Sequence, residues 1–525
     1  MSKLSTLLLF LLLFSLSLEA QEKPNIIVIY TDDQGYGDVS ALNSEAKFKT
    51  PNLDKLIAEG IAFTNGHSSS SICTPSRYGL LTGRYSWRTY FKKSVLGAES
   101  KCLIEDGRMT LASLLKNEGY NTAMVGKWHL GMDFPGELGN RDWSQPVKDM
   151  PLDKGFDYFY GIPASLNYGV LAWFEGRYAK VPPTLHTYKK ENPRSSDYIV
   201  APPYNNTIEE VKKYGGKKIL EVAPDFIDSQ CLTRFTTKAM EWMDTKLADS
   251  KNGKPFFLYL PYTSPHYPVS PLPEFKGQGD AGAYGEFVIE TDYHVGQIMN
   301  YLKENGIDKN TLVVFTSDNG PENSWASRIK EFNHDSRGGF KEGKRSVYEG
   351  GHRVPFILHW PAGIKNPGRQ WDKPVGQTDL LATFADLLDV KLPNNAGEDS
   401  ESFASVLDNP KTKHNRLPLI NRGDSGSRNQ RYSITEGDWK LNLPSANKPA
   451  ELYNLAQDPS ESNNIADSNQ KRVIALTKKM NAIVVNGRTT KGVKQANDTG
   501  YWDDLAWMTP QEYATKSKKS SENEK

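Results

Sequence analysis

The first strongly apolar stretch beyond residue 20 is Asn25–Tyr30 (NIIVIY), a continuous run rich in β-branched residues. Such a run, without polar alternation, predicts a strand buried on both faces of a parallel sheet. Similar short runs recur at Ala123–Val125, Phe256–Leu260, Leu312–Phe315 and Phe356–His359. Between them the period changes. Thr50-Pro51 opens a helix that presents Leu53, Leu56 and Ile57 on one side and closes at Gly60. Thr110 caps a second helix carrying Leu111, Leu114 and Leu115, with Gly119 past its end. Further helical patterns fall near Leu232–Leu247, Phe287–Leu302 and Asp379–Leu388. Strands alternating with helices predict a large α/β domain with a mostly parallel central sheet flanked by helices, over residues 21–390.

Two regions break this pattern. Residues 134–224 are rich in Pro, Gly, Tyr and Trp with little helical period, and read as long binding loops over the sheet edge. After residue 390 the chain offers Arg431–Leu441 and Ala450–Leu455 as short antiparallel strands, then a helix over Ser468–Val485. This predicts a small C-terminal α+β domain with an antiparallel sheet, over 391–515, and a polar, disordered tail over 516–525. At the other end, Lys3 precedes an apolar run from Leu7 to Leu18 that finishes at Glu19-Ala20. That is the layout of a secretory signal peptide over 1–20. The run is shorter than the roughly 20 residues that span a bilayer. The expectation is therefore a periplasmic or secreted protein without a membrane anchor.

Composition narrows the function. With 525 residues, 38% hydrophobic and 11% aromatic, the chain has material for a sizeable core. A net charge of +1 argues against a generally basic nucleic-acid binder. Three cysteines exclude a disulfide-stapled scaffold, and whether Cys102 and Cys231 pair stays open.

Chemistry gathers at strand ends. Asp32 and Asp33 directly follow the first strand; Asp318 and Asn319 follow the Leu312–Phe315 strand. Ligand sites in open α/β sheets lie beyond the carboxyl ends of strands. If the two strands are neighbours, three carboxylates and an amide oxygen converge, a set suited to Ca²⁺ or Mg²⁺ rather than zinc. Taken singly, each Asp reads as an ordinary turn former. A third cluster is Cys73-Thr74-Pro75-Ser76-Arg77, followed by Leu80-Leu81-Thr82-Gly83-Arg84. Thr74 as cap and Pro75 as first residue would start a short helix, with Cys73 at an end that favours anions. An isolated cysteine is usually a buried small hydrophobe, but polar neighbours and Arg77 one turn away point to chemistry.

C-x-P-S-R followed by L-x-T-G-R resembles the signature of the type I sulfatases of the alkaline phosphatase superfamily. The resemblance continues through PNIIVIYTDDQGYGD at Pro24–Asp38, GKWHLG at Gly126–Gly131, SPH at Ser264–His266 and SDNGPE at Ser317–Glu322. It extends to Gly343-Lys344, to YEGGHRVP at Tyr348–Pro355, and to ELYNL in the small domain. It implies a sulfuric ester hydrolase whose Cys73 is oxidised by a maturation enzyme to formylglycine (3-oxoalanine), with the aldehyde hydrate as nucleophile. It further implies a Ca²⁺ or Mg²⁺ held by Asp32, Asp33, Asp318, Asn319 and the modified Cys73. Arg77 and Lys127 would hold and activate the hydrate. His129 would be the base that releases sulfate, while His266 and Lys344 would hold the sulfate and assist the leaving oxygen. The implied substrate is a sulfated poly- or oligosaccharide, with marine algal polymers such as ulvan favoured over glycosaminoglycans. His334, His352, Tyr168 and Trp173 are the expected sugar contacts. The competing readings are a phosphodiester or phosphonate monoester hydrolase, a non-catalytic carbohydrate-binding homologue, and a thiol hydrolase using Cys73 directly.

Overall fold

The structure is a computed structural model that describes residues 23–188, 206–212, 219–424 and 431–515. The expected signal peptide and C-terminal tail lie outside the described residues.

Ten strands form the main sheet. In chain order they are β1 (Asn25–Asp32), β2 (Ile61–Phe63), β3 (Asn121–Lys127), β4 (Tyr158–Ile162), β5 (Phe174–Glu175), β6 (Tyr178–Ala179), β7 (Phe256–Pro265), β8 (Thr311–Ser317), β9 (Phe356–His359) and β10 (Arg369–Trp371). Their spatial order is β6-β5-β4-β3-β7-β1-β8-β9-β2-β10. β1 is central and pairs in parallel with both β7 and β8. β7–β3 and β3–β4 are parallel as well, while β9 runs antiparallel to β8 and to β2. All eight residues of β1 are buried, which is why its sequence shows no alternation.

The helices follow the predicted apolar stripes: α1 (Pro51–Ala58), α2 (Cys73–Thr82), α3 (Leu111–Asn117), α4 (Cys231–Lys251), α5 (Gly282–Glu304) and α6 (Leu380–Leu387). Thr110 caps α3 by accepting the Ser113 N–H at 3.0 Å. Among the described residues no helix is long and apolar enough to cross a membrane.

The region 134–224 differs from the expectation of loops alone. β4, β5 and β6 lie within it and extend the central sheet, and Leu185–Tyr188, Ile219–Val222 and Val170–Leu171 form a separate three-stranded sheet. The strands are too short and too aromatic to alternate visibly. Trp173 and Phe226 pack with ring centroids 4.6 Å apart, so the aromatics supply core here.

Beyond residue 390, Phe403, Val406 and Leu407 still belong to the large core. The small domain is a four-stranded antiparallel sheet, β11 (Leu419–Arg422), β12 (Tyr432–Glu436), β13 (Trp439–Asn442) and β14 (Glu451–Asn454), covered by α7 (Gln470–Asn486). Its core includes Leu441, Leu452, Met480 and Val484, but also Tyr85 and Trp87 from the large domain. The two domains are thus joined through shared apolar burial.

Candidate active site

The carboxyl ends of β1 and β8 meet as neighbours. Gln377 ties them together: its Nε2 donates to Ser317 O at 2.6 Å and Thr316 Oγ1 at 2.8 Å, and its Oε1 accepts the Tyr30 hydroxyl at 2.7 Å. No local sequence signal marks this glutamine. Beyond it, Asp33 adopts a left-handed backbone at φ 65°, a conformation that strained functional sites retain. The Asp33 N–H donates to Asp318 Oδ1 at 3.1 Å, and Asn319 Nδ2 donates to Asp33 Oδ1 at 2.7 Å. Gly320 makes this loop fit, since a Cβ there would lie 1.8 Å from Gly350 O.

α2 delivers Cys73 to this cluster. The helix begins at Cys73 itself, so Thr74 is not the cap that the sequence suggested. Its hydroxyl donates to His129 O at 2.9 Å and accepts the Leu96 N–H at 3.2 Å, joining three segments. Cys73 Sγ lies 3.4 Å from Asp32 Oδ1. One ligand atom each from Asp32, Asp33, Cys73 and His266 falls within 4.8 Å of the others.

Cations interleave with the carboxylates. Lys127 Nζ is bonded to Asp32 Oδ2. Lys344 Nζ sits 2.6 Å from Asp33 Oδ1. Arg77 donates to Asp318 Oδ2 at 2.9 Å and to Lys127 O at 3.1 Å. His266 Nδ1 donates to Tyr267 O at 2.5 Å, which turns Nε2 towards Asp33 Oδ2 at 3.7 Å. All of these side chains are buried.

The electrostatics follow. Burial opposes the charge on Asp32, but Lys127, His266 and Arg77 outweigh it and hold the carboxyl well below its usual range. Burial and then the Asp32 charge push Asp318 up to about 7. Burial drives the Cys73 thiol well above its ordinary value. Burial, with Lys127 and Arg77 beside it, keeps His129 well below the usual imidazole range. His129 Nε2 donates to Leu96 O at 3.2 Å, and Nδ1 has no hydrogen-bond partner among the described residues, so its lone pair is open as a base.

The residues present fit a hard divalent cation. Asn319 Oδ1 is buried and has no hydrogen-bond partner among the described residues, on an amide whose Nδ2 bonds Asp33, and the Asp33 N–H in turn bonds Asp318; their side chains offer oxygen donors. A dipositive ion would also answer the mutual repulsion that lifts Asp318.

Three expected sugar contacts are corrected. Trp173 is fully buried among Tyr160, Phe226 and Phe235 and under Arg234, whose guanidinium stands 4.7 Å from its ring. His334 is buried, with Nε2 on Asp38 Oδ1 at 2.8 Å and Nδ1 accepting the Lys47 N–H. His352 is buried at the domain junction, 3.0 Å from His67 Nδ1 and 3.2 Å from Lys440 Nζ. None of the three is open to a sugar. Tyr168 is half-buried with its ring 5.6 Å from that of His129, beside the cluster. Cys102 and Cys231 are both buried and are not joined in a disulfide.

An acidic cluster at the carboxyl edge of a mostly parallel sheet, facing a helix-borne residue 73, defines a hydrolase of the alkaline phosphatase superfamily. Within it the chain belongs to the sulfatase family: residues 24–390 match the sulfatase family model, and residues 339–487 match that of the N-sulphoglucosamine sulphohydrolase C-terminal region. It is an enzyme of sulfatase type. It is 33% identical to N-acetylgalactosamine-6-O-sulfatase of Bacteroides thetaiotaomicron over 88% of this chain and 93% of that protein. It is 30% identical to human arylsulfatase A, over 87% and 86%. A solved structure from a study of glycosaminoglycan metabolism in B. thetaiotaomicron superposes with a TM-score of 0.75 at 29% identity, covering 88% of this chain and 99% of that one. Ps i-CgsB, solved with k-i-k-neocarrahexaose, superposes with a TM-score of 0.66 at 26% identity, covering 90% and 95%.

Proposed function

We propose that this is an exported sulfatase that hydrolyses sulfate monoesters on a sulfated carbohydrate, with its nucleophile formed at residue 73. One observation carries the reading: Cys73 lies 3.4 Å from Asp32, inside a buried ring of Lys127, Lys344, Arg77, His129 and His266. The names of its relatives support a sugar substrate, an amino sugar in one case and a carrageenan-type oligosaccharide in the other. The substrate class is therefore an anionic glycan of the glycosaminoglycan or marine type, ulvan-like polymers included. The apolar run Leu7–Leu18 supports delivery to the periplasm or beyond.

Asp32, Asp33, Asp318 and Asn319 would hold the Ca²⁺ or Mg²⁺, which supplies Lewis-acid polarisation of a sulfate oxygen, while formylglycine at position 73 supplies the attacking oxygen. The chain's own residues do the rest. Arg77, Lys127 and Lys344 are fixed cations in a water-poor pocket, where they stabilise charge that gathers on the sulfate oxygens. They need no reorganisation, because each is already held by an aspartate. His266 or Lys344 protonates the departing sugar oxygen. His129, neutral through burial, takes a proton from the hydroxyl on residue 73 so that sulfate is released. Tyr168, beside His129, is positioned to cover the sugar.

Peptide mass spectrometry of the Cys73 segment, from protein made in its native host, tests the nucleophile. An aldehyde at position 73 is expected; an unmodified thiol in active enzyme overturns the reading. Matched sulfate and phosphodiester substrates test the chemistry, and faster phosphodiester turnover would refute it.

A further inference from the structure

Lys344 is followed by Arg345, whose backbone lies in the left-handed region at φ 76°. A non-glycine residue held there is strained and persists only where its surroundings over-determine it. Here two clamps do so. The Arg345 N–H donates to Ser71 O at 2.8 Å, and Arg345 O accepts the Asp424 N–H at 2.7 Å. One clamp belongs to the turn before Cys73 and the other to the small domain.

The guanidinium is set beside Glu322, with one terminal nitrogen 2.5 Å from Oε1 and the other 2.8 Å from Oε2. The same carboxylate stands 3.8 Å from Lys344 Nζ. Side-chain exposure rises along this row, from 4% at Lys344 to 13% at Glu322 and 37% at Arg345. Arg345 therefore stands on the outer side of the site, one carboxylate away from the lysine that handles sulfate. Glu322 occupies two of its five N–H donors. The remaining N–H groups carry no hydrogen bond among the described residues. Asp33 and Glu322 balance the charges of Lys344 and Arg345, so what the row offers outwards is the set of unengaged guanidinium N–H groups, whose fork matches an oxyanion in shape.

We propose that Arg345 is a specificity-determining residue that takes a second oxyanion of the substrate. That oxyanion is a carboxylate or a second sulfate, on the sugar that carries the cleaved ester or on its neighbour. The inference rests on the carbohydrate-sulfatase reading above. Substrates with a single sulfate leave the outer donors of Arg345 in water, whereas substrates with two anions engage them.

The test uses the matured full-length enzyme and three oligosaccharides: one with a single sulfate, one with a second sulfate, one with a neighbouring carboxylate. Wild-type kcat/KM for sulfate release is expected to favour one doubly anionic substrate at least tenfold, and which one identifies the oxyanion. Arg345→Asn removes the charge with a residue that tolerates left-handed backbone, and should cut that preference to below threefold. Arg345→Lys should retain part of it. A preference unchanged in Arg345→Asn, or an equal loss on all three substrates, overturns the proposal. Should Arg345→Asn fail to fold, Glu322→Gln decides: freeing the guanidinium should raise the preference at least threefold, and an unchanged or lower ratio overturns the inference. Wild-type enzyme that turns over an aryl sulfate but none of the three sugars defeats the carbohydrate reading, and this inference with it.

Discussion

Arg77 donates to Asp318 Oδ2 at 2.9 Å, with both side chains wholly buried. The pair links α2, which carries residue 73, to the loop after β8. It also lies next to Asp32, at 3.7 Å from the same guanidinium nitrogen. Arg77→Ala thus removes a cation that the proposed mechanism uses and strands a buried carboxylate. Turnover should fall by about 10²-fold or more, as for loss of one preorganised charge donor. Unfolding free energy should drop by about 3–5 kcal/mol, the penalty for one half of a buried ion pair. Denaturant unfolding followed beside kcat separates the two effects.

His129 makes a pH prediction. Burial and neighbouring cations lower its pKa, so the imidazole stays neutral below pH 6.5 and is lost as a base only on further acidification. The acid limb of kcat assigned to sulfate release should therefore lie below the ordinary histidine range. His129→Ala should stall the enzyme after the first turnover, leaving a sulfated residue 73 that intact-protein mass spectrometry detects. Steady multiple turnover in that variant would contradict the assignment.

Lys440 should report on the domain junction. Its ammonium, wholly buried, lies 2.8 Å from Glu349 and 2.9 Å from Glu461. Lys440→Met leaves the buried Glu461 without its cation and Glu349 with Arg353 at 3.2 Å, and should cost about 3–5 kcal/mol. Burial and the Glu349 charge already push Glu461 up to about 7, so the variant should recover stability as pH falls and Glu461 protonates. Thermal melts at pH 5 and pH 8 measure this; an equal loss at both would sink it.

His334 distinguishes packing from binding. It is buried, bonds Asp38 at 2.8 Å and accepts from Lys47. His334→Ala should destabilise by about 1–3 kcal/mol, because Asp38 Oδ1 loses its partner while Oδ2 keeps Tyr284 and Gly35, and should leave KM for sulfated substrate unchanged. A large KM increase without loss of stability would restore it as a sugar contact.

The central strands were legible because burial on both faces leaves an unbroken apolar run, as in Asn25–Tyr30. The loops after β1 and β8 were legible only as a pair, since acidic residues beyond one buried strand read as turn formers and gain meaning when two such strands carry them. β4 to β6 were not, because short strands towards the sheet edge, with YFYGI, FE and YA as their sequences, carry no period. His334, His352 and Trp173 misled because polarity or aromaticity near a motif looks alike whether a side chain faces a ligand or a buried partner; Asp38, His67 and Phe226 are those partners. Gln377 gave no signal at all, although it fastens together the two strands that carry the acidic residues.

Residue 73 is 1% exposed, in the first turn of a helix whose ten residues are all buried. On the proposed reading its nucleophile is made by a second enzyme, which would have to take hold of the segment that carries it. Work of that kind suits a chain that is still open, before the core closes around the helix. Timing would then be a requirement of the fold: a chain that closed too early would keep an unreacted thiol, stable, correctly shaped and idle.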